Sequence, residues 1–169
     1  MTPQIETERL ILRAPKEDDF AAVLAFQASP RTKFIGGGDA NRWEAWRGFL
    51  AQFGHWALRG YGFFICEIRD TRALAGRVGV INHEMWPEPE LGWHLFDGFE
   101  GQGFAYEAAL AVREWAHKTH GLGPLMSQIH PDNQRSIALA ERLGATRERT
   151  TTLLGDPCLV YRHPGSEAL

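Results

Sequence analysis

The alternation of apolar and polar residues predicts where the first half of the chain forms strands and helices. Residues 7–14, TERLILRA, alternate charged and branched side chains, so we expect a first strand there. Residues 16–29 place acidic residues before an apolar face, and residues 42–60 space aromatic and aliphatic residues at helical intervals. Both segments are therefore predicted helices. Residues 61–68 and 73–82 are apolar runs joined by the charged turn RDTR, and they predict two more strands.

The second half continues with a strand at residues 90–96, ELGWHLF, and a helix at residues 104–120. A strand at 124–130 and a helix at 132–145 follow, and residues 146–154 and 157–163 close the chain as an antiparallel pair. The predicted order is β-α-α-β-β-β-α-β-α-β-β. Because strands outnumber helices and hairpins dominate, we predict an α+β fold for residues 1–169. It is a single domain whose mixed, mostly antiparallel sheet carries helices on both faces.

Composition and charge exclude several classes of function. The net charge of −3 and pI of about 6.2 argue against a broad nucleic-acid-binding surface. No apolar run approaches the roughly 18 residues of a membrane span, and the first residues lack the features of a signal peptide. Two cysteines cannot form a disulfide framework. We therefore expect a cytoplasmic protein with no membrane and no nucleic-acid partner.

Residues 100–108, EGQGFAYEA, place two glycines directly before a predicted helix. The first turn of a helix carries N–H groups without helical partners, and these groups attract anions. Gly101 and Gly103 would let a phosphate approach the main chain without a Cβ in the way. The G-x-G-x-x-G fingerprint is incomplete and the Walker pattern is absent, so the stretch alone is equally consistent with a turn that needs glycine only for its dihedral angles.

The surrounding motifs favour the phosphate-binding interpretation. The segment ELGWHLFDGFEGQGFAYEAAL is followed about thirty residues later by HPDNQRSIALAERLGA, and TERLILRAPKEDDF stands near the start. Together these segments resemble the GNAT superfamily of acyl-CoA-dependent N-acetyltransferases. The resemblance is to the branch that includes ribosomal-protein N-terminal (alanine) acetyltransferases. It implies a GNAT-like sheet in which two neighbouring strands splay apart to hold acetyl-CoA.

The resemblance also implies a set of coenzyme-binding residues. The family's Q/R-x-x-G-x-G/A motif falls on Glu100, Gly103 and Ala105. Glu100 departs from that motif, and an acid beside phosphates would have to point to solvent. Main-chain groups of the preceding strand would bind the pantetheine arm, and Asn133 matches an asparagine that bonds it, although Asn133 also suits a helix N-cap. The implied binding residues are His94, Leu95, Phe96, Gly101, Gln102, Gly103, Phe104, Ala105, Asn133 and Ser136.

Two residues are candidates for protonating the departing thiolate. Many superfamily members carry a tyrosine seven residues after the asparagine, where this chain has Ala140. The branch that the chain resembles has a serine three residues after it, which is Ser136 here. Ser136 would be a hydrogen-bond donor or general acid, although a lone helix serine often bonds its own backbone. Tyr161 on the last strand is the alternative acid.

Glu90 is the predicted general base. The resembled branch commonly has an acidic residue before the LG pair, and burial beside Trp86 or Trp93 would raise the pKa of Glu90 toward a useful value. A solvated loop carboxylate is the alternative interpretation. Three histidines are rivals because their ordinary pKa lies near 6.5; they are His83, His94 and His130.

The predicted reaction moves an acetyl group from acetyl-CoA to a primary amine by direct attack in a ternary complex. The acceptor would be a small-molecule amine or a protein N-terminus. A non-catalytic acyl-CoA-binding module is the alternative. We expect no metal site, because His117 and His120 lack further ligands at fitting spacing. A homodimer is compatible with the sequence.

Overall fold

The computed structural model describes residues 3–35 and 41–165. Its first half contains two strands and two helices, with a 3-10 turn before each helix. They are β1 (Gln4–Glu6), β2 (Leu10–Arg13), α1 (Phe20–Gln27) and α2 (Arg42–Arg59), and the 3-10 turns are Glu17–Asp19 and Pro30–Thr32.

The rest of the described chain holds six strands and two helices. They are β3 (Phe63–Ile68), β4 (Leu74–Ile81), β5 (Glu90–Leu95), α3 (Phe104–His120), β6 (Met126–Ile129), α4 (Gln134–Arg142), β7 (Thr146–Leu153) and β8 (Asp156–Arg162). The strands form one sheet in the order β1-β2-β3-β4-β5-β6-β8-β7. Every neighbouring pair is antiparallel except β5 and β6, which run parallel. The predicted α+β class with a mostly antiparallel sheet is confirmed.

The first predicted strand, residues 7–14, is wrong in its extent. The chain turns at Thr7, whose backbone N–H donates to the carbonyl of Leu10 at 2.9 Å and whose hydroxyl accepts from the Leu10 N–H at 3.0 Å. The side chain of Thr7 thus replaces strand pairing with a local turn. A short strand precedes the turn, so the element order begins with a hairpin and gains one strand.

Helices cover both faces of the sheet, so the central strands are buried on both sides. Helix α3 lies on the face that carries Leu91 and Val78, and its small inner residues let it approach closely. Helix α1 and the first half of α2 enclose a second cluster around Phe49 and Phe96 on the other face. Each fully buried apolar side chain of this kind contributes about 1.5–3 kcal/mol to folding. Within the described ranges, no helix combines the length and apolarity that a membrane crossing would need.

Candidate functional site

A gap between the two parallel strands dominates the site. In the described chain β5 and β6 are paired at a single position, Glu90 with Met126, at the start of both strands. Beyond it a cavity of about 1100 Å³ lies against the later residues of β5 and the starts of α3 and α4. The carboxyl ends of neighbouring parallel strands are a common ligand position in sheets of this kind.

The start of α3 faces this cavity with exposed main chain. Gly101 and Gly103 both line it and both have left-handed backbone, with φ of 72° and 82°. Gly103 is the N-cap of α3, and no side chain caps that end of the helix. The free N–H groups of the first turn make this end of the helix suitable for an anion. At Gly103 the absence of a Cβ leaves room for Arg9, whose Nη2 an added Cβ would meet at 3.2 Å.

The N-terminal hairpin fixes the position of this helix start. Glu107, in the first turn of α3, accepts hydrogen bonds from the hydroxyl of Thr7 at 2.6 Å, the backbone of Arg9 at 2.8 Å and the Nε of Arg9 at 2.7 Å. The Nη1 of Arg9 also donates to the carbonyl of Gln102 at 2.8 Å. Charged hydrogen bonds are about twice as strong as neutral ones. The hairpin therefore holds the glycine turn from the side away from the cavity.

The start of α4 meets the same cavity. The side chain of Asn133 accepts from the backbone N–H of Ser136 at 3.3 Å, which makes Asn133 the N-cap of α4. The hydroxyl of Ser136 accepts from the indole Nε1 of Trp93 at 3.2 Å. Asn133, Ser136 and Trp93 all line the cavity, so two helix starts converge on it.

Positive charge surrounds the cavity. Four basic side chains and two acidic ones line it: Arg31, Lys33, Arg135, Arg142, Glu100 and Asp132. The Nη1 of Arg31 lies 3.1 Å from Glu100 Oε1, and the backbone N–H of Gly98 donates to Glu100 Oε2 at 2.8 Å. A hydrogen bond from its own backbone N–H, with help from Arg31, holds the pKa of Glu100 below its usual value. Glu100 therefore does not simply point to solvent, because its charge is paired with Arg31.

The structure brings most of the predicted binding residues to one place. His94, Leu95, Gly101, Gly103, Ala105, Asn133 and Ser136 all line the cavity. Phe96, Gln102 and Phe104 are not among the lining residues. Phe96 is buried against the ring of Phe26, and the ring of Phe104 lies under the guanidinium of Arg9. The amide of Gln102 donates to the carbonyl of Gly98 at 3.0 Å.

The geometry is accompanied by a match to a protein family. The sequence model of that family, which is described as an acetyltransferase (GNAT) domain, matches residues 9–146. The chain belongs to the GNAT acetyltransferase family. A solved acetyltransferase from Agrobacterium tumefaciens str. C58 is 37% identical, with a TM-score of 0.89, and the match covers 98% of this chain and 96% of that one.

Two further comparisons extend this result. The uncharacterized N-acetyltransferase YoaA of Bacillus subtilis (strain 168) is 28% identical over 88% of this GNAT protein and 85% of YoaA. RimL, a ribosomal L7/L12 α-N-protein acetyltransferase in complex with coenzyme A, is 22% identical with a TM-score of 0.77. That match covers 94% of this chain and 96% of RimL, and it shows a shared fold. The predicted GNAT membership is confirmed, and a putative ribosomal-protein-serine acetyltransferase from Vibrio cholerae is among the solved structures that share the fold.

In this GNAT protein Glu90 lies at the closed end of the gap, outside the cavity lining. It is only 7% exposed, and both of its oxygens accept hydrogen bonds. The backbone N–H of Gln128 donates to Oε1 at 2.9 Å, while the Gln128 amide, at 3.2 Å, and the indole of Trp86 donate to Oε2. Burial raises the pKa of Glu90 above its ordinary value.

The other candidate acids and bases occupy varied positions. Tyr161 is buried beneath α4, and its hydroxyl donates to Glu141 at 3.5 Å. Burial lowers the pKa of His94 well below its ordinary value, and its Nδ1 accepts from the Nε of Arg77 at 2.9 Å. His94 is therefore held as a neutral ring. His130 stacks on Phe34, which also lines the cavity.

Sequence reasoning missed Arg31 and Trp93. The Nη1 of Arg31 donates to the carbonyl of Leu95 at 2.8 Å, although 64 positions separate these residues. A single arginine after Pro30 carries no motif, so no local signal reveals it. Trp93 is named in the sequence analysis only as a neighbour of Glu90. Side chains alternate between the two faces of β5, and this signal places Trp93 on the α3 face together with Leu91.

Proposed function

We propose that this GNAT protein binds acetyl-CoA in the gap between β5 and β6 and catalyses transfer of the acetyl group to a primary amine by direct attack in a ternary complex. The observation that carries this proposal is the convergence of two helix starts, α3 and α4, on one cavity at the ends of separated parallel strands. Such a site offers unpaired main-chain N–H groups and main-chain groups of β5 to one elongated ligand.

The described residues fit the coenzyme. The uncapped start of α3 at Gly101–Ala105 would hold the pyrophosphate, and the basic residues around the cavity would attract the phosphates. Main-chain groups of Leu95 would bond the pantetheine arm, with the Leu95 carbonyl shared with Arg31. The main-chain groups of His94 face Arg77 of β4 instead, because the groups of successive residues alternate between the two sides of a strand. A cavity of about 1100 Å³ is large enough for most of such a ligand.

Ser136 is the proposed proton donor to the departing thiolate. Its oxygen already accepts from Trp93 Nε1, so its own hydrogen is free to be donated into the cavity. As the amine nitrogen bonds to the acetyl carbon, the carbon–sulfur bond breaks and the sulfur takes up a proton. Asn133 caps the helix turn that carries Ser136, and this cap holds the backbone from which the hydroxyl projects.

Glu90 is the proposed acceptor of the amine proton, through water. A carboxylate has about four lone-pair positions and Glu90 receives three donors, so one position remains for a proton. Its raised pKa brings proton uptake closer to neutral pH.

The acceptor is proposed to be a small-molecule amine or a protein N-terminus. RimL, which shares the fold, is an α-N-protein acetyltransferase, and its name supports the second class. An α-amine with a pKa near 8 also needs less assistance from a base than a lysine amine near 10.4.

The test combines binding with turnover. Calorimetry is expected to show saturable acetyl-CoA binding, and a thiol assay is expected to show release of coenzyme A when a panel of peptides and small amines is added. Binding without thiol release across the panel would favour a non-catalytic module. No binding at all would overturn the proposal.

A further inference from the structure

The parallel ladder between β5 and β6 stops abruptly after its first rung. The backbone N–H of His163 donates to the carbonyl of Leu125 at 2.9 Å, so the main-chain groups of Leu125 face β8. Because these groups alternate along a strand, those of Met126 and Gln128 face β5. With Glu90 paired to Met126, the next rung of a regular parallel ladder would join the N–H of Gln128 to the carbonyl of Leu91.

Both groups of that rung bond to side chains instead. The N–H of Gln128 donates to Glu90 Oε1 at 2.9 Å. The carbonyl of Leu91 accepts from the hydroxyl of Ser127 at 2.6 Å. On β5, the side chain of Glu90 replaces the carbonyl of the next residue, Leu91, as the acceptor. On β6, the side chain of Ser127 replaces the N–H of the next residue, Gln128, as the donor. Two side-chain hydrogen bonds thus take the place of one backbone rung.

This exchange removes the usual penalty for separating two strands. An unpaired buried N–H or C=O costs about 1–3 kcal/mol, so an empty rung would favour closure. Here Glu90 and Ser127 are 7% and 2% exposed and satisfy both groups. The bond to Glu90 is assisted by the carboxylate's charge, which strengthens it.

A third residue orients the serine. Ser127 Oγ lies 2.9 Å from His163 Nε2, and the serine hydrogen is already used on Leu91. The imidazole must therefore donate from Nε2 to Ser127 Oγ. His163 directly follows β8 and is itself buried.

We propose that Glu90 and Ser127, the strand clamp, are positioning residues that hold β5 and β6 open at the Gln128–Leu91 rung. The clamp fixes the width of the gap beyond it before any ligand arrives. The part of this inference that concerns acetyl-CoA rests on the proposed function. The inference that the rung is held open is independent of the proposed function.

Through-hydrogen-bond NMR couplings test the clamp in the ligand-free protein. In the unaltered chain we expect a coupling from the Gln128 amide nitrogen to the Glu90 side-chain carboxylate carbon and none to the Leu91 carbonyl carbon. In the double variant Glu90→Leu, Ser127→Ala we expect the Leu91 coupling to appear, because both replacement partners are gone. A Leu91 coupling in the unaltered chain overturns the proposal without any variant, so it stays testable even where the double variant fails to fold.

Ligand affinity supplies the second readout. We expect the double variant to bind acetyl-CoA at least about 10-fold more weakly than the unaltered chain. The single variant Glu90→Gln keeps an oxygen for the Gln128 N–H, so we expect its Kd for acetyl-CoA to stay within about 3-fold of the unaltered value. Trp86→Phe is the matched control, because it removes a donor to the same carboxylate and leaves the rung untouched. A folded double variant whose rung stays open overturns the clamp, and a closed rung with full affinity overturns its role in acetyl-CoA binding. If the unaltered chain binds no acetyl-CoA while the double variant still closes the rung, the proposed function fails and the clamp stands.

Discussion

The indole Nε1 of Trp93 donates to the hydroxyl of Ser136 at 3.2 Å, and this hydrogen bond ties β5 to the first turn of α4 across the cavity. Trp93 and Ser136 are 43 positions apart and both line the cavity. The bond occupies a lone pair of Ser136 and directs its hydrogen away from Trp93. A serine held in this way is better suited to proton donation than one free to bond its own helix.

Ser136→Ala is therefore expected to lower kcat about 10- to 100-fold while the Kd for acetyl-CoA stays within about 3-fold. The reason is that the hydroxyl acts when sulfur leaves, whereas binding depends on many other groups. Steady-state kinetics and calorimetry on the same samples provide the measurement. Ser136→Thr keeps the hydroxyl and serves as the control. Unchanged turnover in the alanine variant would show that Ser136 has no role in proton donation.

Gly101→Ala is expected to weaken acetyl-CoA binding more than Gly98→Ala. Both glycines have positive φ, 72° and 89°, and an added Cβ meets nothing within 4 Å at either position. The backbone strain is therefore comparable, about 1 kcal/mol or somewhat more. Only Gly101 lines the cavity. Equal losses of affinity in the two variants, measured by calorimetry, would mean that strain alone explains the effect.

Glu100→Gln is expected to strengthen acetyl-CoA binding about 3- to 10-fold at low ionic strength. The change removes a negative charge from the cavity and releases Arg31, which pairs with Glu100 at 3.1 Å. Phosphates would then meet a more positive site. The gain should shrink as salt is added, because exposed charges are screened. Asp97→Asn, at the other carboxylate near Arg31, is the control, since Asp97 does not line the cavity.

Glu90→Gln is expected to change how stability depends on pH. Burial raises the folded-state pKa of Glu90 above its ordinary value of 4.5, so the folded chain binds more protons than the unfolded chain at pH values just above 4.5. The free energy of unfolding contributed by Glu90 therefore falls as pH rises from 4.5 through the folded pKa. Denaturant titrations of both proteins should show the variant gaining stability relative to the original chain over that window. If the free energies of unfolding of the two proteins changed equally with pH over this window, that result would contradict the raised pKa of Glu90.

His163 should make the protein sensitive to acid. Burial lowers its pKa from 6.5 to about 4, so the unfolded chain takes up a proton first as pH falls. The stability that His163 contributes is complete above pH 6.5 and is lost by about pH 4, a total of roughly 3 kcal/mol. An NMR titration of the ring should find it neutral, with the proton on Nε2, at pH 6. A ring that titrates near 6.5 would contradict the lowered pKa, and a neutral ring with its proton on Nδ1 would contradict the hydrogen bond to Ser127.

The sequence by itself determined the helix bounds and turns that depend on the backbone preferences of neighbouring residues. Helical periodicity with Gly103 before it and Gly121 after it gave α3 its bounds, because glycines in left-handed conformation mark helix ends. The same local signals predicted the glycine turn at Gly101–Ala105, for which anion binding is proposed, and an N-cap at Asn133. The Thr7 turn was missed because one side-chain hydrogen bond outweighed a short alternating pattern.

Only the tertiary structure decided how distant residues meet. The pairing of Arg31 with Glu100 and the bond from Trp93 to Ser136 join elements that are far apart in the chain. The strand clamp likewise depends on the register between two parallel strands, which a long crossover through α3 brings together. Hydrophobic periodicity states which face of an element is buried, but contacts between elements depend on packing of the whole core. Local backbone preferences therefore fixed the turn that faces the cavity, while packing fixed the charges and the width of the gap around it.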